Sequence, residues 1–320
     1  MRSGHSVLNW LQQLKFQAIS VQDVGPVWQL GMAPQGALAA PSGVLSLSAL
    51  RRAWLAVRAN KGGPGVDGMT LARFERQLED ELLTLVTAIA EERYRPQAVR
   101  RILLPKRSGG LRPIAIWTIR DRVVQRALYE ALLPKCERHF LPCSLGYRPG
   151  RGVEDAVKMV IKARKAGQLW VVDADIRECF DHIRTGPLLR VLAGWVPDQR
   201  LVRLTKHFLK ARVIGGASGK PEMAGASQGS ILSPLLCNVY LHTFDEAISK
   251  KPGWILVRFA DDFVILTKRK EEAHAAKRKA ASVLGKLGMK LHPEKTQIVP
   301  FEQGFKFLGM FFRGDEVHKV

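Results

Sequence analysis

The sequence predicts an α+β fold in which an antiparallel sheet is backed by helices. From about residue 169 onward, strand and helix patterns follow in the order β, α, α, β-β, α, β. Two of these strand patterns end in aspartate, and two further apolar runs in the first half flank a Gly-Gly turn. The chain has 320 residues, of which 46% are hydrophobic and 25% charged, so it is long enough to bury a core.

The first half of the chain contains a predicted hairpin between helices. Residues 1–45 hold a short amphipathic pattern and a stretch rich in Gly, Pro and Ala, and they form an N-terminal extension of unclear role. Helical spacing follows over residues 47–57 and 71–91, with a glycine-rich loop between them. The runs RILLPK and LRPIAI then predict a β-hairpin, and a helix is expected over residues 119–133.

The second half supplies the predicted sheet. LWVVDADI, residues 169–176, is an apolar strand that ends in acid, and ILVRFADDFVILT predicts a hairpin with acids at its tip. The other predicted elements are helices over 187–209 (broken near Pro197), 235–248 and 271–288, a strand over 296–299 and a hairpin over 305–312.

The charge balance points to an anionic partner. Fifty Lys and Arg residues stand against 29 Asp and Glu residues, which gives a net charge of +21. Residues 93–112 alone carry seven basic residues and no acidic one. Nucleic acid is the favoured partner, because each neutralised phosphate releases a counterion. Charge by itself is also compatible with a basic protein that is merely well solvated.

The cysteine pattern and the termini exclude several classes of protein. The four cysteines form no CxxC pair and have no zinc spacing, so we expect them to be buried thiols in a reducing compartment. The N-terminus does not resemble a signal peptide, and no apolar stretch is long enough to cross a bilayer. We therefore expect a soluble, cytoplasmic protein with no membrane partner.

Three carboxylates at strand ends are the main chemical signal. Asp175 ends one apolar strand, and Asp261 and Asp262 lie at the tip of the later hairpin. Carboxylates that converge repel one another unless a cation joins them, and Mg²⁺ prefers carboxylate and phosphate oxygens. Two such ions are suited to phosphoryl transfer. Taken alone, an Asp-Asp pair in a hairpin is more simply a turn.

Six segments follow one another along the chain: LPKRSGGLRPIAIWTIRDRVVQRAL, WVVDADIRECFDHI, GASQGSILSPLLCNVYLHTFDEAI, RFADDFVIL, LGMKLHPEKTQIV and FKFLGMFF. In this order they resemble the motifs of group II intron-like reverse transcriptases of bacterial retroelements. The resemblance covers roughly residues 50–313. The resemblance implies a right-hand polymerase, with a palm sheet and with fingers built from helices and a hairpin. It implies that residues 46–168 are mainly fingers and 169–313 mainly palm, with 185–255 partly fingers.

The resemblance also implies roles for individual residues. Asp175, Asp261 and Asp262 are expected to be catalytic and to hold two Mg²⁺ ions, for which Mn²⁺ can substitute, with the Ile176 carbonyl as a further ligand. The residues expected to contact the nucleotide are Lys106, Arg112, Phe180, Gln228, Gly229 and Lys295. Simpler alternatives remain for several of these: a core phenylalanine for Phe180, a solvated hairpin tip for Lys106 and Arg112, and a surface lysine for Lys295.

The expected activity is RNA-directed DNA polymerisation, in which dNTPs are added to a primer 3′-hydroxyl. The expected partners are an RNA template, a DNA or RNA primer, and dNTPs. Residues 314–320 are interpreted as a tail too short for a thumb, so a structured RNA or a partner protein is expected to take its place. One alternative is a domesticated enzyme serving CRISPR spacer acquisition or another defence role. Alternatives of a different class are an RNA-binding splicing cofactor and an inactive intron remnant.

Overall fold

The computed structural model describes residues 45–105, 111–215 and 222–320, which divide between two units. The first unit comprises the chain up to Arg138 together with Thr185–Ser233, and the second comprises His139–Arg184 and Pro234–Val320. Residues 139–168, which the sequence analysis groups with the fingers, therefore lie in the second unit. The assignment of the first unit to the fingers and of the second unit to the palm stays a prediction.

Helices and strands alternate along the described ranges. The helices are α1 Leu47–Ala59, α2 Leu71–Arg76, α3 Leu78–Ala90, α4 Ile119–Glu137, α5 Val153–Lys165, α6 Thr185–Trp195, α7 Gln199–Leu209, α8 Ser233–Ser249 and α9 Lys270–Lys286. The strands are β1 Val99–Pro105, β2 Leu111–Ile116, β3 Trp170–Asp175, β4 Arg212–Ile214, β5 Glu222–Met223, β6 Ile255–Phe259, β7 Asp262–Thr267, β8 Gln297–Pro300, β9 Phe305–Phe307, β10 Met310–Arg313 and β11 Glu316–Lys319.

Most predicted elements are present, with two corrections. The helix expected over residues 71–91 is two helices, because the backbone leaves the helical region at Gln77. The segment 314–320, expected to be a tail, contains β11, which pairs antiparallel with β10. The predicted break near Pro197 is confirmed between α6 and α7. No helix in the described ranges has both the length and the apolar character needed to cross a membrane.

The first unit contains amphipathic helices and a short sheet. α1 is capped by Ser46, whose hydroxyl accepts a hydrogen bond from the Ala49 N–H, and such capping satisfies a donor that the helix leaves free. Its buried residues recur at helical spacing and form one apolar face: Leu50, Ala53, Trp54 and Val57. The predicted hairpin is confirmed, since β1 and β2 pair antiparallel, and the sheet order is β2-β1-β4-β5.

The second unit is built on an antiparallel sheet of order β6-β7-β3-β8. In β7 all residues from Phe263 to Thr267 are buried, so both faces of this strand are covered. On one face, Val264 and Leu266 belong to a core cluster that includes residues of α5. On the other, the Phe263 ring contacts the ring of Phe244 in α8, with centroids 5.0 Å apart.

A second, three-stranded sheet of order β11-β10-β9 completes this unit. Its inner residues Phe305 and Phe312 stack with ring centroids 5.1 Å apart, and Phe301 meets Phe305 edge to face at 5.3 Å. These rings belong to the same cluster as the central strands, so the small sheet adds to the core of the unit and is not an appendage.

Candidate active site

The two acid-ended strand patterns are direct neighbours in the sheet of the second unit. β3 and β7 pair antiparallel, and their register places Asp175 opposite Asp262. Asp261 lies in the two-residue turn between β6 and β7, and its carbonyl accepts a hydrogen bond from the Ile176 N–H at 3.2 Å. Cross-strand neighbours have Cβ atoms only about 5 Å apart. The backbone therefore brings the three predicted aspartates together.

A buried ion pair supports the turn that carries two of these aspartates. Arg258 in β6 and Asp245 in α8 both have side chains that are 0% exposed. The guanidinium donates two hydrogen bonds to the carboxylate, each 2.6 Å long. It also donates to the Ala260 carbonyl at 2.8 Å, to Asn238 Oδ1 at 3.0 Å and to Ser144 Oγ at 2.6 Å. One of these five bonds is made to the turn itself, and the other four join Arg258 to α8 and to the segment at Ser144.

The ion pair with Asp245 keeps the buried Arg258 protonated. Burial acts to lower the pKa of Arg258, but the charge and hydrogen bonds of Asp245 outweigh burial, so the net shift is upward. A buried pair of this kind is costly to break, because removing one partner leaves the other charge uncompensated. The network is therefore a rigid support for the turn.

The same turn is also packed against a glycine. Ala260 has a φ of 60°, in the left-handed region that residues other than glycine seldom adopt. A Cβ placed on Gly146 would clash with the Ala260 backbone nitrogen. The Gly146 carbonyl accepts a hydrogen bond from Asn238 Nδ2 at 2.8 Å. Two backbone segments therefore run in van der Waals contact, and only glycine permits it at this position.

Asp262 holds a proton more tightly than an ordinary carboxyl group does. Burial, followed by the charges of Asp261 and Asp175, raises the pKa of Asp262 to about 7, although its side chain still reaches solvent. The Lys295 ammonium donates to the Asp175 carboxylate at 2.6 Å, and this bond raises the pKa of Lys295. Asp173, on the same strand, accepts a hydrogen bond from Gln297 at 2.9 Å. Negative charge is thus concentrated at one end of the sheet.

Comparison with known proteins identifies the family. The family model described as reverse transcriptase (RNA-dependent DNA polymerase) matches residues 104–312. The chain belongs to the reverse transcriptase family. It is 31% identical over 301 residues to the protein YkfC of Escherichia coli K12, a match that covers 80% of this chain and 79% of YkfC. The resemblance noted in the sequence is therefore confirmed.

The relatives also define the class. The enzyme is 34% identical over 171 residues to the group II intron-encoded protein LtrA of Lactococcus lactis subsp. cremoris. That match covers 53% of this chain but only 28% of LtrA. This chain is a reverse transcriptase of the group II intron-like class, and it spans little more than a quarter of that intron-encoded relative.

A solved structure confirms the fold. Apo telomerase from Candida tropicalis superposes with a TM-score of 0.57 at 16% identity, over 70% of this chain and 48% of that chain. At this identity the likeness is one of fold alone. It confirms the right-hand polymerase architecture predicted from the sequence.

The aspartates of this reverse transcriptase fit a divalent metal by their chemistry. They offer the hard oxygen ligands that Mg²⁺ prefers, and a cation would relieve the repulsion that raises the pKa of Asp262. Within the described ranges no three His, Cys, Asp or Glu side chains are arranged as a metal site, and the Asp175 carboxylate is directed at Lys295. Asp175 and Asp262 are cross-strand partners, so their side chains lie on the same face of the sheet.

Phe180 follows β3 in a short 3-10 helix, Cys179–His182. The residue is half-buried, and both its contact with the nucleotide and its alternative role as a core residue stay predictions. Cys179 is buried beside Cys237 of α8, with the sulfurs 3.7 Å apart. All four cysteines of the reverse transcriptase are buried free thiols, as the sequence predicts.

Of the other predicted nucleotide contacts, Arg112, Gln228 and Gly229 lie in the first unit. Arg112 is an exposed residue of β2, and Lys106 lies outside the described residues. Gly229 has a φ of 102°, and a Cβ there would clash with the Ala115 carbonyl oxygen, so glycine is required. The Gln228 carbonyl accepts from the Ala115 N–H at 2.8 Å, while its side-chain Oε1 is buried without a hydrogen bond to the described residues. The roles of these residues stay predictions.

Sequence reasoning missed the residues that support the catalytic turn. Arg258 and Asp245 left a usable signal, because each is a charge inside an otherwise apolar element, ILVRF or SPLLCNVYLHTFDEAI. Charged residues at positions that a pattern buries are expected to pair with each other. Gly146 left no comparable signal, since close approach of two backbone segments is not visible in a single sequence.

Proposed function

We propose that Asp175, Asp261 and Asp262 are the catalytic residues with which this reverse transcriptase extends a primer 3′-hydroxyl with dNTPs on an RNA template. The observation that carries the proposal is the register of the sheet, which pairs Asp175 with Asp262 and places Asp261 next to them. Two Mg²⁺ ions would be held by these carboxylates and by the Ile176 carbonyl, and Mn²⁺ would substitute.

Metal ions bound there would supply positive charge for the attacking and leaving oxygens in phosphoryl transfer. The protein supplies the rest. The turn between β6 and β7 holds two carboxylates in a fixed place, because Arg258 bonds its backbone. Lys295 stays protonated beside Asp175, so it carries the proton that departing pyrophosphate would take up.

Phe180 is proposed as the residue that excludes a ribose 2′-hydroxyl. Its half-buried ring follows Asp175 by a single short turn, so it stands beside the reacting end of the sheet. A ring packed against C2′ occupies the space that a 2′-hydroxyl needs, so a ribonucleotide would be rejected by a steric clash. The proposed contacts of Lys106, Arg112, Gln228 and Gly229 with the nucleotide rest on the family resemblance.

Primer extension tests the proposal. The purified protein is given poly(rA)/oligo(dT), dTTP and Mg²⁺ or Mn²⁺. Asp261→Asn is expected to abolish extension and to leave RNA binding intact, because it removes a charged ligand and keeps the shape of the side chain. Asp173→Asn on the same sheet is the matched control and is expected to extend the primer. Equal activity of Asp261→Asn and wild type would refute the assignment.

The biological role is a separate proposal. Similarity to the intron-encoded protein LtrA favours a retroelement enzyme. A domesticated role in spacer acquisition or another defence function uses the same chemistry. Gene neighbourhood distinguishes them. Neighbouring intron RNA domains would indicate a retroelement, whereas a CRISPR array and an integrase gene would indicate a defence role. A splicing cofactor without polymerase activity is distinguished by the extension assay itself.

A further inference from the structure

Tyr147 has a backbone conformation that bulky residues rarely adopt. Its φ is 61°, in the left-handed region. Two other non-glycine residues with positive φ lie next to the aspartates in the chain: Ala260 directly before Asp261, and Glu178 three residues after Asp175. Strained backbone persists only where its surroundings over-determine it, and it clusters at functional sites.

The segment before Tyr147 is held along the edge of the catalytic hairpin. The Leu145 N–H donates to the Arg258 carbonyl at 2.9 Å, and Ser144 forms a parallel bridge with the same residue. Gly146 packs on the backbone of Ala260. These contacts leave the chain little freedom, so the direction in which Tyr147 points is determined by the hairpin that carries the aspartates.

The Tyr147 ring is directed towards Phe180. The two ring centroids are 6.4 Å apart and the ring planes are tilted by 58°, a geometry within the range of favourable aromatic pairs. Within the described ranges, Tyr147 is the aromatic residue in ring contact with Phe180. Both residues are half-buried, so neither ring is enclosed completely by the surrounding residues.

The Tyr147 hydroxyl does not hold the Tyr147 ring against Phe180. It makes no hydrogen bond to any residue in the described ranges, in contrast to Tyr240, whose hydroxyl donates to the Leu287 carbonyl at 2.5 Å. Burial and then the negative charge of Asp261 raise the pKa of the Tyr147 phenol, so the ring stays neutral next to the carboxylates. The contribution of the residue is therefore the volume of its ring.

We propose that Tyr147 is a positioning residue that sets sugar selectivity by holding the Phe180 ring in place. This inference rests on the proposed role of Phe180. When the Tyr147 ring is removed, Phe180 gains rotamer freedom and retreats from the space of a 2′-hydroxyl. Ribonucleotides then enter more easily, although Tyr147 itself does not contact the sugar.

Steady-state incorporation on poly(rC)/oligo(dG) tests this, with kcat and KM measured for dGTP and for GTP. Selectivity is the ratio of the two kcat/KM values. Tyr147→Asn removes the ring with a residue that tolerates the left-handed region. It is expected to lower selectivity roughly tenfold, mainly through a lower KM for GTP. Tyr147→Phe keeps the ring and is expected to keep the selectivity of the wild type.

Phe180→Val and the double variant separate this inference from the proposal on which it rests. Phe180→Val alone is expected to lower selectivity, and adding Tyr147→Asn to it is expected to lower selectivity no further, because Tyr147 acts only through Phe180. If Phe180→Val loses selectivity while Tyr147→Asn keeps it, Phe180 is the gate and our inference is wrong. If Phe180→Val leaves selectivity unchanged, the proposed role of Phe180 in excluding ribonucleotides is wrong.

Two further outcomes are additive losses in the double variant and failure of Tyr147→Asn to fold. Additive losses in the double variant would show that Tyr147 acts on the sugar directly, which also overturns the inference. Thermal unfolding and RNA binding are measured for every variant. If Tyr147→Asn does not fold, Tyr147→Leu takes its place, because it retains an apolar side chain but lacks the ring, and the same outcomes apply.

Discussion

At the scale of single residues, the active site depends on positions that carry no reacting group. Gly146 allows two backbone segments to touch, and Ala260 accepts a left-handed conformation directly before Asp261. Neither residue is chemically notable in the sequence. Their importance follows from the distance between backbone atoms, which a side chain on Gly146 would increase.

Substitution of Gly146 by Ala is expected to reduce both stability and extension. The added Cβ would meet the Ala260 nitrogen and the Phe259 carbonyl carbon, which are backbone atoms and cannot rotate away. Overpacking of this kind costs about 1–3 kcal/mol, and here the strain falls on the turn that carries the aspartates. Chemical denaturation and primer extension are the measurements.

Gly285→Ala is the matched control for this substitution. Gly285 is an exposed residue of α9, and a Cβ there would meet nothing within 4 Å. Alanine is favoured over glycine inside a helix by roughly 0.5–1 kcal/mol, so this variant is expected to be at least as stable as the wild type. Equal behaviour of the two variants would contradict the close contact at Gly146.

At the scale of elements, the Arg258–Asp245 pair joins β6 to α8 and bonds the turn at Ala260. A buried ion pair is not by itself evidence of stability, because desolvation offsets much of its attraction. The contribution of this pair lies in the fixed directions of the guanidinium hydrogen bonds. The planar guanidinium donates to five acceptors at once, and apolar residues of similar volume cannot reproduce that geometry.

Arg258→Met is expected to destabilise the fold by about 3–5 kcal/mol, since it leaves Asp245 charged and buried. The double variant Arg258→Met/Asp245→Leu removes both charges and is expected to recover most of that stability. Its extension rate is expected to stay well below that of the wild type, because the Ala260 carbonyl has lost its donor. Full activity in the stable double variant would show that the pair is only structural.

At the scale of the whole molecule, the net charge of +21 governs how nucleic acid is held. Each phosphate contact releases a counterion, so affinity falls steeply with salt. We expect RNA binding to weaken by orders of magnitude between roughly 50 and 200 mM salt, as for proteins that make several phosphate contacts. Fluorescence anisotropy measures the slope, and Asp261→Asn is expected to show the same slope as the wild type. A flat salt response would contradict binding through charge.

The sequence alone determined the family, most of the elements and the position of the three aspartates at strand ends. These features are local. Apolar runs predict the strands, two glycines predict the first hairpin, and the family motifs follow one another in order along the chain. Even the ends of the strands at Asp175 and Asp262 could be located, because a carboxylate interrupts an apolar run.

Only the tertiary structure decided which residues support those aspartates. The pairing of Asp175 with Asp262 depends on the register between strands that are far apart in the chain. The bonds of Arg258 to Asp245 and Ser144, and the contact of Tyr147 with Phe180, join segments that no local pattern connects. Local patterns arise from backbone geometry within one element, whereas these contacts arise from packing between elements, and packing is decided by the whole chain at once.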